Sequence, residues 1–275
     1  MRCMGHYPYG VDQLMQNPLQ EVSVETTPLG QSGFRLRFGS IILYIDPYLS
    51  NSVEENEGPE MRRLFPIWKP PQLITDADWV LITHIHRDHC DTDTLVPISR
   101  ASAHCQFVGP KQVCNVLEAE GIPSTRLIPA VSGWLTLGKD LNVHPIVAAH
   151  PEIVIEPEGG SRYVGYIIEY RGRRIYHSGD TLLNSSLIDA VQAFGPIDVA
   201  ILPVNECNYY RETSGIIGNM SVREAFQFAA DLKVKTLVPM HWDMFAPNSV
   251  YQEEIETYYR LSKPPFRMLL NPKLI

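Results

Sequence analysis

Trp79-Val80-Leu81-Ile82-Thr83-His84-Ile85-His86-Arg87-Asp88-His89 is an apolar run that ends in an H-x-H-x-D-H string. The apolar part has the length and character of a buried strand. His84 and His86 stand two apart; in extended backbone they point to one side and offer two imidazoles to one metal. A tight turn then presents Asp88 and His89 to a second metal, at a spacing of roughly 3.5–4 Å at which two ions can share a bridging hydroxide, the nucleophile of many hydrolases. Ligand-type residues this dense at a strand end are poorly explained as core packing.

A paired site needs further ligands, and three lie at later strand ends. His150 closes a strand before Pro151, Asp180 sits in Ser178-Gly179-Asp180-Thr181, and His241 follows Val238-Pro239-Met240. The expected set is therefore His84, His86, Asp88, His89, His150, Asp180 and His241. Asp180 is assigned to bridge, His150 and His241 complete one metal each, and positions stay open for water and substrate. Asp88 and Asp180 are the candidate catalytic carboxylates, steering a proton to the leaving alkoxide.

Around this motif the chain reads as strands over 21–27, 34–38 and 41–45, then 79–83 and 106–108, with a helix over 111–120 closed by Gly121. Pro47 halts the third strand and is expected to hold Asp46 extended. Residues 48–75 are polar, proline-rich and unpatterned, the profile of an active-site loop. A strand over 141–149 and a hairpin over 163–177, turning at Arg171-Gly172, precede αβαβ character. Helices are expected near 183–194, from the Ser221–Glu224 capping box to 232, and over 250–261, with strands at 199–203 and 236–239. Two halves of strands followed by α/β units imply an α/β fold of two facing sheets with helices outside. No linker separates them, so 1–275 is read as one domain with an extension at 1–20.

The metal string with its downstream His, Gly-Asp and final His resembles the metallo-β-lactamase superfamily. Ile45-Asp46-Pro47, Ala77 to Thr83, Phe107-Val108-Gly109-Pro110-Lys111, Ile175 to Asp180 and Val238 to Asp243 are similar to its L-ascorbate-6-phosphate lactonase branch. The similarity runs from about residue 32 to about residue 247. It implies an αββα four-layer sandwich of two mixed β-sheets, two divalent ions (Mn or Zn), self-association, and hydrolysis of a small cyclic ester, phosphorylated or not. Residues 5–10, 48–75 and 209–219 depart from that branch and leave the substrate open. The alternatives are a phosphodiesterase on the same site and a non-catalytic metal-binding protein.

A net charge of -8 with no Lys/Arg-dense stretch argues against nucleic acid as a partner and leaves a small molecule as the expected one. No apolar run reaches the ~20 residues of a membrane span, and no signal-peptide pattern opens the chain. Five cysteines without a C-x-x-C pair fit a reducing compartment, so a cytoplasmic location is expected. Asp46 at a strand end can accept from a ligating imidazole, against the simpler reading as an Asp-Pro turn. His177, three residues before Asp180, is weighed equally between a site role and packing. Arg211 and Arg87 are the cations placed to meet an anionic substrate group, with surface solvation weighed ahead for both. Cys90, Cys207 and His144 are read as packing residues.

Overall fold

Three apolar runs open the described chain as a meander: β1 (Glu25–Gly30), β2 (Gly33–Phe38) and β3 (Ile41–Ile45) pair antiparallel in sequence. The computed structural model describes residues 23–157 and 159–275. The extension at 1–20, Cys3 and the expected beginning of the first strand at 21–22 lie outside the described residues.

The chain then changes from hairpins to crossovers. β4 (Trp79–Leu81), β5 (Gln106–Gly109) and β6 (Leu127–Pro129) add to β3 as parallel neighbours, completing a six-stranded sheet in the order β1-β2-β3-β4-β5-β6. The helices α2 (Thr92–Ala101) and α3 (Lys111–Ala119) make the crossovers, as parallel pairing requires. The second half repeats the scheme. β7 (Leu135–Gly138), β8 (Leu141–Val147), β9 (Val164–Tyr170) and β10 (Arg173–His177) run antiparallel. β11 (Val199–Pro203), β12 (Thr236–Met240) and β13 (Arg267–Met268) follow in parallel. Their helices are α4 (Ser185–Gln192), α6 (Val222–Asp231) and α7 (Gln252–Ser262).

Period-two patterning sorts the side chains into layers. On β3, Leu43 and Ile45 join the core shared by the two sheets, while Ile42 and Tyr44 join a cluster with Leu95, Ile98, Val113 and Leu117 of α2 and α3. On the other sheet, Ile167, Tyr176 and Ala200 face α4 and α6, and Ile168, Ile175 and Val199 face the shared core. The result is helix, sheet, sheet, helix: the expected α/β αββα sandwich. Tyr166 crosses between the sheets, its hydroxyl reaching the Ile82 and Val108 carbonyls at 2.8 and 3.3 Å. At the end of the chain, residues 273–275 lie along β1. Val24 N–H donates to Ile275 O at 2.9 Å, Ile275 N–H to Val24 O at 3.1 Å, and Thr26 N–H to Lys273 O at 2.9 Å.

Two local expectations are corrected. Residues 48–75 are not patternless: helix α1 (Ser52–Glu57) and short 3-10 turns at Pro59–Met61 and Pro71–Leu73 interrupt them. Tyr48, Leu49 and Val53 are buried there, and Arg63 Nη1 donates to the Tyr48 carbonyl at 2.9 Å. Asp46 is not extended, having a φ of 40°. Its amide donates to Leu81 O at 3.0 Å and its carboxylate accepts from Thr83, contacts that turn the backbone into a left-handed shape aspartate tolerates.

Candidate metal centre

The C-terminal ends of β3, β4, β8, β10 and β12 open on one rim of the sandwich, and the hairpin between β1 and β2 returns there. That rim collects Gln31, Asp46, the 83–89 segment, His150, Asp180 and His241. The turn expected after His86 is present, with His89 and Cys90 N–H both donating to His86 O at 3.0 and 2.8 Å.

Every residue of the expected ligand set meets in this cluster. His84, His86 and His150 form one group whose nitrogens lie within 4.8 Å of one another. Asp88, His89 and His241 form a second, and His84, His89 and Asp180 a third that overlaps both. Asp180 lies between the outer groups: one oxygen is 3.5 Å from His89 Nε2, the other 3.1 Å from His241 Nε2 and 3.8 Å from His150 Nε2. Asp88 Oδ2 is 3.6 Å from His89 Nε2 and 3.4 Å from His241 Nε2.

Supporting contacts fix the rings. Asp46 Oδ2 lies 2.7 Å from His89 Nδ1 and also accepts from the Thr83 hydroxyl at 2.6 Å, while Asp46 Oδ1 accepts from Thr83 N–H at 2.8 Å. Of the two readings weighed for Asp46, these contacts favour the supporting position over a bare Asp-Pro turn. The supporting position leaves His89 Nε2 sealed from solvent, without a hydrogen bond among the described residues, beside two carboxylates. An imidazole held at one nitrogen, with the other aimed at acidic oxygens, suits a cation between them. The donor set of imidazoles and carboxylates fits Zn or Mn.

The electrostatics of the cluster show what such a cation would replace. Burial pushes the Asp180 and Asp88 carboxyls up, but the imidazoles of His241 and His89 outweigh it and hold both below the usual carboxylate range. Burial lowers His89 and His241, and the carboxylates overcome it, raising His89 well above the histidine range and His241 to about 9. His84 and His150, more dominated by burial, stay neutral, with His150 pushed down to about 4. Two ionised carboxylates thus face the cavity with protonated rings as compensation, a role a divalent ion can take over.

Three non-glycine residues on this rim, Gln31, Asp46 and His241, have φ of 55°, 40° and 60°. Such backbone costs about 1–3 kcal/mol per residue and persists where surrounding bonds over-determine it. Gln31 illustrates this. Its N–H donates to Asp243 Oδ1 at 3.1 Å, its carbonyl accepts from His241 N–H at 2.8 Å, and its Nε2 donates to Asp88 Oδ2 at 2.9 Å. Gln31 carries no signature in sequence, because its partners are 57 and 210 residues away. Tyr163, whose ring lies 5.5–6.2 Å from His84, His86 and His150, was equally silent. Thr83 stands inside the deciding motif, where only its neighbours had drawn a role.

The remaining candidates divide. His177 is buried behind the cluster, its Nε2 2.9 Å from Ser32 O; the Ser32 hydroxyl in turn lies 3.4 Å from Asp180 Oδ1. Arg87 is exposed and lines the cavity. Arg211 contradicts both of its readings: it is 6% exposed, donates to the Glu206 and Ser249 carbonyls at 3.3 and 2.8 Å, and does not line the metal cavity. Its role is to tie α5 (Tyr209–Thr213) to the 249 loop. His144 packs between Trp134 and Phe194, and Cys90 is buried.

The cavity over the cluster measures about 200 Å³. His86, Asp88, His150, Asp180 and His241 form its floor, and Val53, Met61, Ile216, Ile217 and Phe245 its apolar wall. Among the described residues, no helix is long and apolar enough to cross a membrane.

Comparison with known proteins converges on the same architecture. The profile of the family described as "Beta-lactamase superfamily domain" matches residues 43–242. The chain is 27% identical over 217 residues to a metal-dependent hydrolase of Pyrobaculum islandicum, covering 78% of this chain and 83% of that protein. It is 26% identical over 223 residues to a Salmonella choleraesuis protein named "Probable L-ascorbate-6-phosphate lactonase", covering 76% of this chain but only 61% of the relative. In structure it is similar to a metallo hydrolase of Ignicoccus hospitalis, with a TM-score of 0.67, 20% identity, and coverage of 92% and 97%. At that identity the likeness speaks for the fold alone.

Proposed function

This chain belongs to the β-lactamase superfamily domain family, and from that premise we propose that it is a binuclear metal-dependent hydrolase of small cyclic esters. The observation that carries the reading is the pair of ligand triads, His84/His86/His150 and Asp88/His89/His241, with Asp180 reaching both from between. Divalent ions held there supply Lewis acidity for a carbonyl and bring the ionisation of water toward neutral pH.

The protein's own groups do the rest. Asp180, fixed by Ser32 and the flanking imidazoles, sets the spacing of the two triads. Asp88 is steered by Gln31 and is the more exposed of the two carboxylates, its side chain 18% accessible against 4% for Asp180. It is therefore the group placed to pass a proton to the leaving alkoxide. Ile216, Ile217 and Phe245 shield the reacting carbonyl from bulk water. Among the described residues, Arg87 is the cavity's one cationic side chain other than histidine, and Glu57 lines the same mouth. That wall favours an uncharged ester over a phosphorylated one, in which a dianion would face Glu57.

Metal content per chain by plasma mass spectrometry tests the centre, with wild type, His86→Ala and Asp180→Ala compared. Two equivalents of Zn or Mn in the wild type, falling toward one or fewer in each variant, are expected. Turnover of a γ-lactone panel should then exceed that of bis-p-nitrophenyl phosphate and vanish in Asp180→Ala. Less than one equivalent in metal-supplemented wild type, unchanged by mutation, would remove the reading; faster cleavage of the phosphodiester would replace the substrate class.

A further inference from the structure

Asn248 lines the same cavity as Asp88 and His241, yet it comes from a separate short turn, Ala246–Asn248. Behind it runs a relay of buried carboxamides. Asn219 Nδ2 donates to Asn205 Oδ1 at 2.9 Å, and Asn205 Nδ2 donates to Asn248 Oδ1 at 2.9 Å. Asn205 and Asn219 are fully enclosed, and Asn248 is 7% exposed. A carboxamide has an acceptor end and a donor end, so in a head-to-tail relay the orientation of each dictates the next.

The enclosed end sets the direction. As it stands, Asn219 Oδ1 is buried and finds no partner among the described residues. Reversing the relay would take from Asn219 Nδ2 the acceptor it has on Asn205, and orphaned buried donors are rarer than under-satisfied carbonyls. At the open end, Asn248 Oδ1 is taken by Asn205. Asn248 Nδ2 makes no hydrogen bond among the described residues, and it is not one of the atoms sealed from solvent. Asn248, which carries this free donor, and the metal cluster line one cavity.

We infer that Asn248 is a substrate-specificity residue: Asn205 and Asn219 hold its side-chain NH2 toward the cavity, where it selects a small ester bearing an uncharged oxygen acceptor. The identity of the substrate rests on the hydrolase reading above; the direction of the relay does not. The setting suits the assignment, because a single oriented donor beside the apolar wall of Ile216, Ile217 and Phe245 fixes how a largely apolar molecule enters. Binding rather than bond cleavage is the step such a contact governs, since it lies on the substrate and not on the reacting groups.

Two variants test it from opposite ends. Asn248→Asp keeps the acceptor for Asn205 and replaces the outward donor by an acceptor. Asn205→Asp lies outside the cavity but can only accept, so it compels Asn248 to turn its NH2 inward and present its carbonyl to the substrate. Both are expected to raise KM for a γ-lactone by about tenfold, with kcat within about twofold and metal content unchanged. In zinc-loaded wild type, the Asn248 side-chain ¹⁵N amide signals, assigned through their loss in Asn248→Asp, should shift on titration with 4-hydroxybutyrate. Asn248→Asp preserves every buried hydrogen bond of the relay, so it remains informative if Asn205→Asp does not fold. Unchanged KM and an unmoved amide signal would overturn the inference while leaving lactone turnover, and the hydrolase reading, standing. A wild type that turns over no lactone, yet shifts its Asn248 amide with 4-hydroxybutyrate, would overturn the hydrolase reading and support the inference.

Discussion

Among the described residues, Asp46 reaches the metal cluster through His89 and Thr83, and it is 0% exposed. Replacing it by Asn puts an amide donor where Thr83 N–H, the Thr83 hydroxyl and His89 Nδ1 all need acceptors. Outer contacts of this kind are typically worth 10–100-fold in metal affinity. Asp46→Asn is therefore expected to weaken binding by that range in a competition titration with a chromogenic chelator; an unchanged affinity would show that His89 holds its orientation without the carboxylate. Sequence made the seven clustered side chains legible because ligand chemistry demands particular residue types at strand ends. It also made Asp46 legible, though with the wrong backbone, since proline's preference for extended neighbours was overridden by three tertiary hydrogen bonds. Gln31, Tyr163 and Asn248 were not legible. An ordinary polar or aromatic residue acquires a role there only through partners far away in the chain.

At the scale of elements, the site depends on how closely β10 can end beside β4 and β9. Gly179, with a φ of 59°, makes the turn that delivers Asp180; a methyl group there would stand 2.6 Å from Val164 O and 2.9 Å from Thr83 Cβ. Both left-handed backbone and crowding then oppose a side chain. Gly179→Ala is expected to lose about 2–4 kcal/mol of stability by denaturant titration, and to lower metal occupancy at temperatures where it is still folded. Elements with strong local grammar were readable in advance: α6 begins at the Ser221–Glu224 capping box, and the β9–β10 hairpin turns at Arg171-Gly172, both with positive φ. Those without it were not. α1 is only six residues long, its Val53 buried against Tyr48 and against Met244 and Phe245 from a distant loop, and α2 carries Pro97 inside it.

For the molecule as a whole, stability in acid has a contributor outside the candidate metal cluster. Burial pushes the Asp76 carboxyl up, but hydrogen bonds from Arg35 and Tyr44 and the Arg35 charge outweigh it, so it titrates below its ordinary 3.8. A carboxylate depressed in the folded state stabilises at pH above its unfolded value, and that contribution is lost as pH falls through the folded one. Asp76→Asn should therefore cost stability near neutral pH, about 1–2 kcal/mol given partial exposure. The gap to wild type should close below about pH 4 in urea titrations across pH; a gap independent of pH would assign the loss to packing.

The last three residues, which run from the second sheet to lie along β1, have a consequence for solubility. A chain ending at Pro272 would deprive Val24 and Thr26 of the backbone partners they have among the described residues, leaving that rim of β1 a template for strand addition by a neighbouring copy. Sedimentation velocity of that truncation is expected to show concentration-dependent large species that the full chain lacks. Identical profiles would mean that the rim of β1 is guarded by something other than its own C-terminal residues. On this view Lys273 to Ile275 act as a built-in stopper against fibre-like stacking.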